Sequence, residues 1–188
     1  MLISKLSETS KISILGFRDT KIGDITIFLE QFNAKKGDAT IQLFDATNIA
    51  GPQHLYFAAV NALNAFAKKT NISNNLEVEA LLYASAQRQI TKAVEMLGLK
   101  SETSEIAVLI LAENLAQKKD YIQLVANLIP GKRDDSILTL TGKKVKNVKK
   151  MFDISELEFE ACLKKEGTEN EALVDLVIER MALLVTKS

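Results

Sequence analysis

Cysteine is nearly absent: Cys162 is the one thiol among 188 residues. No intrachain disulfide can form, and one cysteine with one histidine, His54, cannot assemble a thiolate or imidazole zinc site. Such usage fits a reducing compartment. Long apolar runs are missing too. The longest, IAVLILA at 106–112, covers about a third of a membrane span, and the opening MLISKLSETSKI lacks the unbroken apolar core of a secretory signal. These absences predict a cytoplasmic protein with no membrane contact. Catalytic cradles are also lacking: there is no G-x-x-x-x-G-K-[ST], no G-x-G-x-x-G after a strand, no G-x-S-x-G and no H-E-x-x-H. The nearest lookalikes, GKR at 131 and TGKK at 141, have neither the upstream glycine nor a Ser or Thr after lysine. No metal or cofactor is expected.

What is present is ordinary for a folded domain. Apolar residues make up 47% of the chain and charged ones 26%, so a core burying about 70% of the unfolded surface is within reach without staples. The 24 basic and 24 acidic residues cancel, but unevenly. Residues 1–150 carry a balance of +5 and residues 151–188 a balance of −5, which reads either as two kinds of partner or as differently solvated faces.

Along the chain, KISILGFRD and ATIQLFDA alternate as strands, with the helical pattern DITIFLEQFNAKK between them. GPQHLYFAAVNALNAFAKKT follows as a helix with Pro52 in its first turn and a stripe of Leu55, Ala59, Ala62, Leu63 and Phe66. The next helical region runs from about Asn75 to Leu97, closed by Gly98 as a C′ residue. Its apolar phase breaks. Val78, Leu81, Leu82 and Ser85 point one way, and Ile90, Ala93, Val94 and Leu97 point about 110° round at 100° per residue. A break near Ala84-Ser85-Ala86 follows, with Ser85 able to cap a second helix whose first turn holds Gln87, Arg88 and Gln89. SEIAVLILAE is a strand covered on both faces; NLAQKKDYIQLVANLIP is a helix; KRDDSILTLTG is a loop leading into a short strand. GKKVKNVKKMF sets Val145, Val148 and Phe152 apart from five lysines, and Ser155/Glu158 and Thr168/Glu171 form two capping boxes. The order predicts one domain, 1–188, of the α+β (mixed α/β) class, with helices packed around a small, mainly antiparallel sheet and residues 168–188 as a terminal helix.

Four groups of residues could carry function. His54, in a first helical turn, is either a neutral imidazole beside an anion or a local cap. Glu79 and Tyr83 share a helix face and either brace each other or, with His54, line the pocket of a small enzyme. Gln87, Arg88 and Gln89 offer fork-shaped donors suited to phosphates or base edges, with Lys68 and Lys69 able to flank them, or they bridge helices. The lysines of 143–150 have no aromatics among them for base stacking. In the last helix Glu171, Asp175 and Glu179 form one narrow charged stripe and nearly everything else is apolar. Such a helix is deeply buried or covers a partner with its second face.

GPQHLYFAAVNALNAFAKKTNISNNLEVEALLYASAQRQITKAVEMLGL, with SEIAVLIL after it and NEALVDLVIERMALL near the end, resembles the PRPK-binding protein family, the small kinase-associated subunit of the KEOPS (EKC) complex. The ordered motif is G-x-x-H-L, then E-x-L-L-Y-A-S-x-x-R-Q-I, then a helix ending L-G-L; with its flanks the resemblance covers about residues 40–185. It implies helices around a small sheet, no activity of its own, and a place in the complex that makes threonylcarbamoyladenosine on tRNA. A subunit of this kind binds the kinase-like ATPase and helps bring in tRNA by its single-stranded 3′ CCA end. By position, the resemblance makes His54, Arg88 and Gln89 candidates for the RNA-facing surface, with Lys68 and Lys69 added on charge. It sets the terminal helix, with Leu173, Leu176, Arg180, Leu183 and Leu184, at the kinase contact. No small-molecule substrate is implied; a purely structural subunit is the remaining alternative. One departure is visible: relatives often have glycine before R-Q-I, and this chain has Ala86-Gln87.

Overall fold

The computed structural model describes residues 11–163, 165 and 167–186; the stretch 1–10, read above for a targeting signal, lies outside them. Strand β1 (Ile12–Arg18) leads to α1 (Ile25–Lys36), β2 (Thr40–Asp45), α2 (Pro52–Lys68), α3 (Leu76–Ser85) and α4 (Ile90–Leu97). Then come β3 (Ile106–Leu111), α5 (Leu115–Leu128), β4 (Lys132–Arg133), α6 (Gly142–Met151), α7 (Glu156–Cys162) and α8 (Glu169–Ala182). Short 3-10 turns fall at Ala46–Asn48, Asp135–Leu138 and Leu183–Thr186. The sheet order is β2-β3-β1-β4, and every neighbouring pair is antiparallel. This is the expected α+β arrangement.

Strand β3 is buried along its whole length, as its unbroken apolar run requires. Ile106, Val108 and Ile110 join Leu15, Phe17, Ile41 and Leu43 against Phe32 of α1 and Val125 of α5. Ala107, Leu109 and Leu111 face the other way, with Phe44, against α2 and α3. Helices thus cover both faces of a strand whose side chains alternate. A third cluster, with Val148, Phe152, Phe159, Leu173 and Val177, binds α6, α7 and α8 together.

Four alanines of α2, at 58, 59, 62 and 65, are buried beside Ala80 and Ala84 of α3. Small side chains let two helix backbones approach closely, and this sets which face of α2 turns inward. Leu63, expected in the stripe, is instead 40% exposed. Three glycines are dictated by close approach, one of them Gly131, whose Cβ would meet the Arg18 carbonyl oxygen at 2.7 Å. A Cβ on Gly16 would meet the Asp134 carbonyl oxygen at 2.5 Å, because the 3-10 turn after β4 lies on β1 and Gly16 N–H donates to Asp135 Oδ1 at 2.9 Å. A Cβ on Gly98 would meet the Val94 carbonyl oxygen at 2.5 Å. Gly98 ends α4 in extended backbone (φ −70, ψ 159), not the left-handed form of a C′ glycine. The short strand of the 132–142 segment is its first two residues, Lys132–Arg133, and the ILTL portion begins in a 3-10 turn.

Candidate functional site

The phase break in the motif is a change of backbone direction. Asn75 caps α3, its Oδ1 accepting from the N–H groups of Glu77 (2.8 Å) and Val78 (3.1 Å). At the other end Ala86 turns left-handed (φ 52, ψ 33). Ala86 N–H donates to the Tyr83 carbonyl at 3.0 Å and Gln87 N–H to the Leu82 carbonyl at 3.1 Å, the paired closure of a Schellman motif. A left-handed position is where glycine meets no Cβ penalty, so the alanine at 86 holds this turn at a cost in backbone strain. The break was expected at these residues, but its details differ. Ser85 belongs to α3, wholly buried with its hydroxyl donating to Leu82 O at 3.1 Å. Gln89 takes the N-cap of α4 without a side-chain cap bond. Gln87 and Arg88 therefore form a connector before the helix, not its first turn.

Arg88 and Gln89 are exposed on this connector, and Arg88 Nη1 reaches the Leu184 carbonyl at 3.4 Å. Beside it lies a cavity of about 230 Å³ lined by Ser85, Ala86, Gln87, Met96, Met151, Phe152, Asp153 and Arg180. Arg180, assigned by sequence to the partner contact, contributes its guanidinium here. Its Nη2 donates to Glu158 Oε1 at 2.5 Å, and that bond, with the backbone and hydroxyl of Ser155, holds the Glu158 carboxyl down to about 2.

His54 is fully buried, so it is not an RNA-facing group. Ala50 N–H donates to its Nδ1 at 3.1 Å, which places the ring hydrogen on Nε2, and Nε2 then donates to the Ala84 carbonyl at 2.7 Å. Burial drives its pKa down to about 4, with the Ala84 bond opposing. Glu79 is also fully buried. Its oxygens accept from Ile72 N–H (3.0 and 3.1 Å) and Ser73 N–H (2.7 Å), tying down the loop between α2 and α3. Burial, then Glu79, raises the Tyr83 phenol, and Arg88 opposes. Glu79 and His54 are both committed to backbone, which removes the reading of an open Glu79/Tyr83/His54 pocket.

Lys68 and Lys69 are exposed at the far end of α2. Lys68 lies 14 positions on from His54, so the two lysines stand about 21 Å along the axis from the Ala84 contact. The five RNA candidates are thus not one patch: Arg88 and Gln89 are neighbours, the lysines lie apart, and His54 is interior. The lysine-rich α6 is partly structural. Lys144 is buried with Nζ donating to Ile137 O, and burial lowers its pKa while Glu105 and Asp45 oppose. Lys149 sits 3.4 Å over the Phe159 ring and pairs with Glu156 at 2.8 Å.

The terminal helix is an internal element. Leu173, Leu176 and Leu184 are 0–3% exposed and cannot meet a partner; the charged stripe of Glu171, Asp175 and Glu179 faces outward. Leu183 is 41% exposed. What α8 offers the surface is a different edge. Asn170, Glu171, Val174, Asp175 and Ile178, with Pro52, Phe57 and Leu140, line a groove of about 280 Å³. Sequence reasoning missed it because α8 is apolar almost all round, so its pattern does not say which apolar side is covered. Phe57, 40% exposed on α2, was the available signal.

Residues 20–184 match the family described as kinase binding protein CGI-121. The chain belongs to the CGI-121 family. Among characterised relatives, the regulatory protein Cgi121 of Methanocaldococcus jannaschii is 27% identical over 146 residues, which cover 78% of this chain and 83% of that protein. The CGI-121 match takes in α1 through α8 and leaves β1 outside. As a member of a kinase-binding family, the chain has a kinase as its coarse partner class. Among the described residues of this CGI-121 protein no helix is long and apolar enough to cross a membrane, and no group of three or more His, Cys, Asp or Glu is placed to hold a metal ion.

Proposed function

We propose that this protein is a non-catalytic, cytoplasmic subunit of a KEOPS-type assembly. It binds the kinase-like ATPase subunit and recruits tRNA by its 3′ CCA end for threonylcarbamoyladenosine modification. The observation that carries the RNA half is the α3–α4 connector. It sets exposed Arg88 and Gln89 beside a cavity whose Met96, Met151, Phe152 and Arg180 give apolar and guanidinium surfaces for an unstacked base. Lys68 and Lys69 then serve phosphates farther along the RNA. The kinase half is supported by the family match and by the groove of α8 and α2, where Phe57, Val174 and Ile178 supply apolar surface inside an acidic rim.

Two measurements test the halves separately. Arg88→Glu should weaken tRNA binding about tenfold or more, and removing the CCA end from wild-type substrate should do the same. Equal affinity for intact and trimmed tRNA would end the RNA half. Phe57→Asp or Ile178→Asp should each lower affinity for the kinase subunit by about 2 kcal/mol, the scale of an interface anchor. If both bind normally while Leu183→Asp does not, the contact lies at the C-terminal turn instead.

A further inference from the structure

His54 touches three segments that belong to two different surfaces. Its Nδ1 accepts from Ala50, whose residue lines the groove of α2 and α8. Its Nε2 donates to Ala84, one residue before the stretch Ser85–Gln87 that lines the connector cavity. Its ring meets Phe152, also in that cavity wall, edge to face with centroids 5.5 Å apart. Both hydrogen-bonding partners are groups the secondary structure leaves over. Ala84 O is among the last carbonyls of α3, without an intrahelical donor, and Ala50 N–H precedes α2. A neutral imidazole, with one acceptor and one donor on opposite sides, satisfies both at once in a place closed to water.

We infer that His54 is a positioning residue that locks the kinase-facing groove and the RNA-facing connector into one geometry, so that each surface is pre-formed only while the other is. This rests on the function proposed above for those two surfaces and goes beyond it by assigning the link between them. Phenylalanine at 54 keeps an aromatic ring against Phe152 but offers neither bond. Glutamine can accept and donate across a similar span.

The test compares full-length His54→Phe and His54→Gln with Val125→Ala, which opens a cavity on the opposite face of the sheet and serves as a control of similar destabilisation. Affinities for the purified kinase subunit and for a single-stranded RNA ending in CCA are measured along with amide hydrogen exchange. His54→Phe should lower both affinities about tenfold and lose protection at 50–53 and 85–89 together, with His54→Gln largely restoring them. Val125→Ala should leave both affinities unchanged. If His54→Phe behaves like Val125→Ala, or loses one surface alone, the link is refuted. Should the wild type bind neither ligand, the proposed function fails, and the exchange data still decide the role of His54: joint loss at both segments supports it, and loss spread through the sheet overturns it.

Discussion

At the scale of single residues, His54 ties stability to acidity. Its native pKa of about 4 lies below the ordinary 6.5, so the unfolded chain takes up a proton first as pH falls. The contribution of the neutral ring is complete above about pH 6.5 and is lost progressively down to about pH 4. Over that window about 3 kcal/mol should disappear. Thermal melts of wild type and His54→Gln across pH 4–7 check this: the glutamine variant should show the shallower decline. Glu158, held down to about 2 by Arg180 and Ser155, loses its pairing only at lower pH, and its exposure to solvent makes that pairing sensitive to salt. The chemistry of these residues was only partly legible. The place of His54 at a helix start left open a neutral imidazole beside an anion or a local cap; that burial holds the ring neutral and that it bridges Ala50 and Ala84 was not legible, because Ala84 is 30 residues away.

At the scale of elements, the α3–α4 pair was read from its apolar phase, and the break fell where expected because a helix cannot rotate its buried stripe midway without ending. What phase could not show was how the break is made. A left-handed residue with a Schellman closure consumes Ala86 and Gln87, and the connector displaces Arg88 from the helix. The strained alanine makes a prediction: Ala86→Gly should stabilise the fold by about 1 kcal/mol, raising Tm by about 2–4 °C. A melting temperature that falls would show that the Ala86 methyl, which packs in the α6–α8 cluster, outweighs the strain. Capping shows the same division. Ser155 and Glu158 form the reciprocal box, as their spacing requires, whereas Thr168 turns its hydroxyl to the Lys165 carbonyl at 2.7 Å and caps nothing in α8.

At the scale of the whole molecule, α8 decides whether the domain holds together. Leu173, Val177 and Met181 are fully buried, the first two in the α6–α8 cluster and the third against α2 and α3. Losing such side chains removes about 2–5 kcal/mol each, comparable in sum with the 5–15 kcal/mol that holds a typical domain. A chain ending at residue 168 should therefore be unfolded or molten, seen as collapsed amide dispersion in NMR spectra; a well-dispersed spectrum would show that α8 is an appendage. The sequence by itself determined the class of fold, the doubly covered strand β3, the break within the motif and the family, since each depends on local periodicity or on residues in a fixed order. The tertiary structure alone decided that His54 is interior, that Leu173, Leu176 and Leu184 are core, and that Arg180 joins the connector cavity while Arg88 reaches Leu184 across 96 residues of chain. Periodicity defines the faces of a helix, but what covers each face is set by packing between segments far apart in sequence.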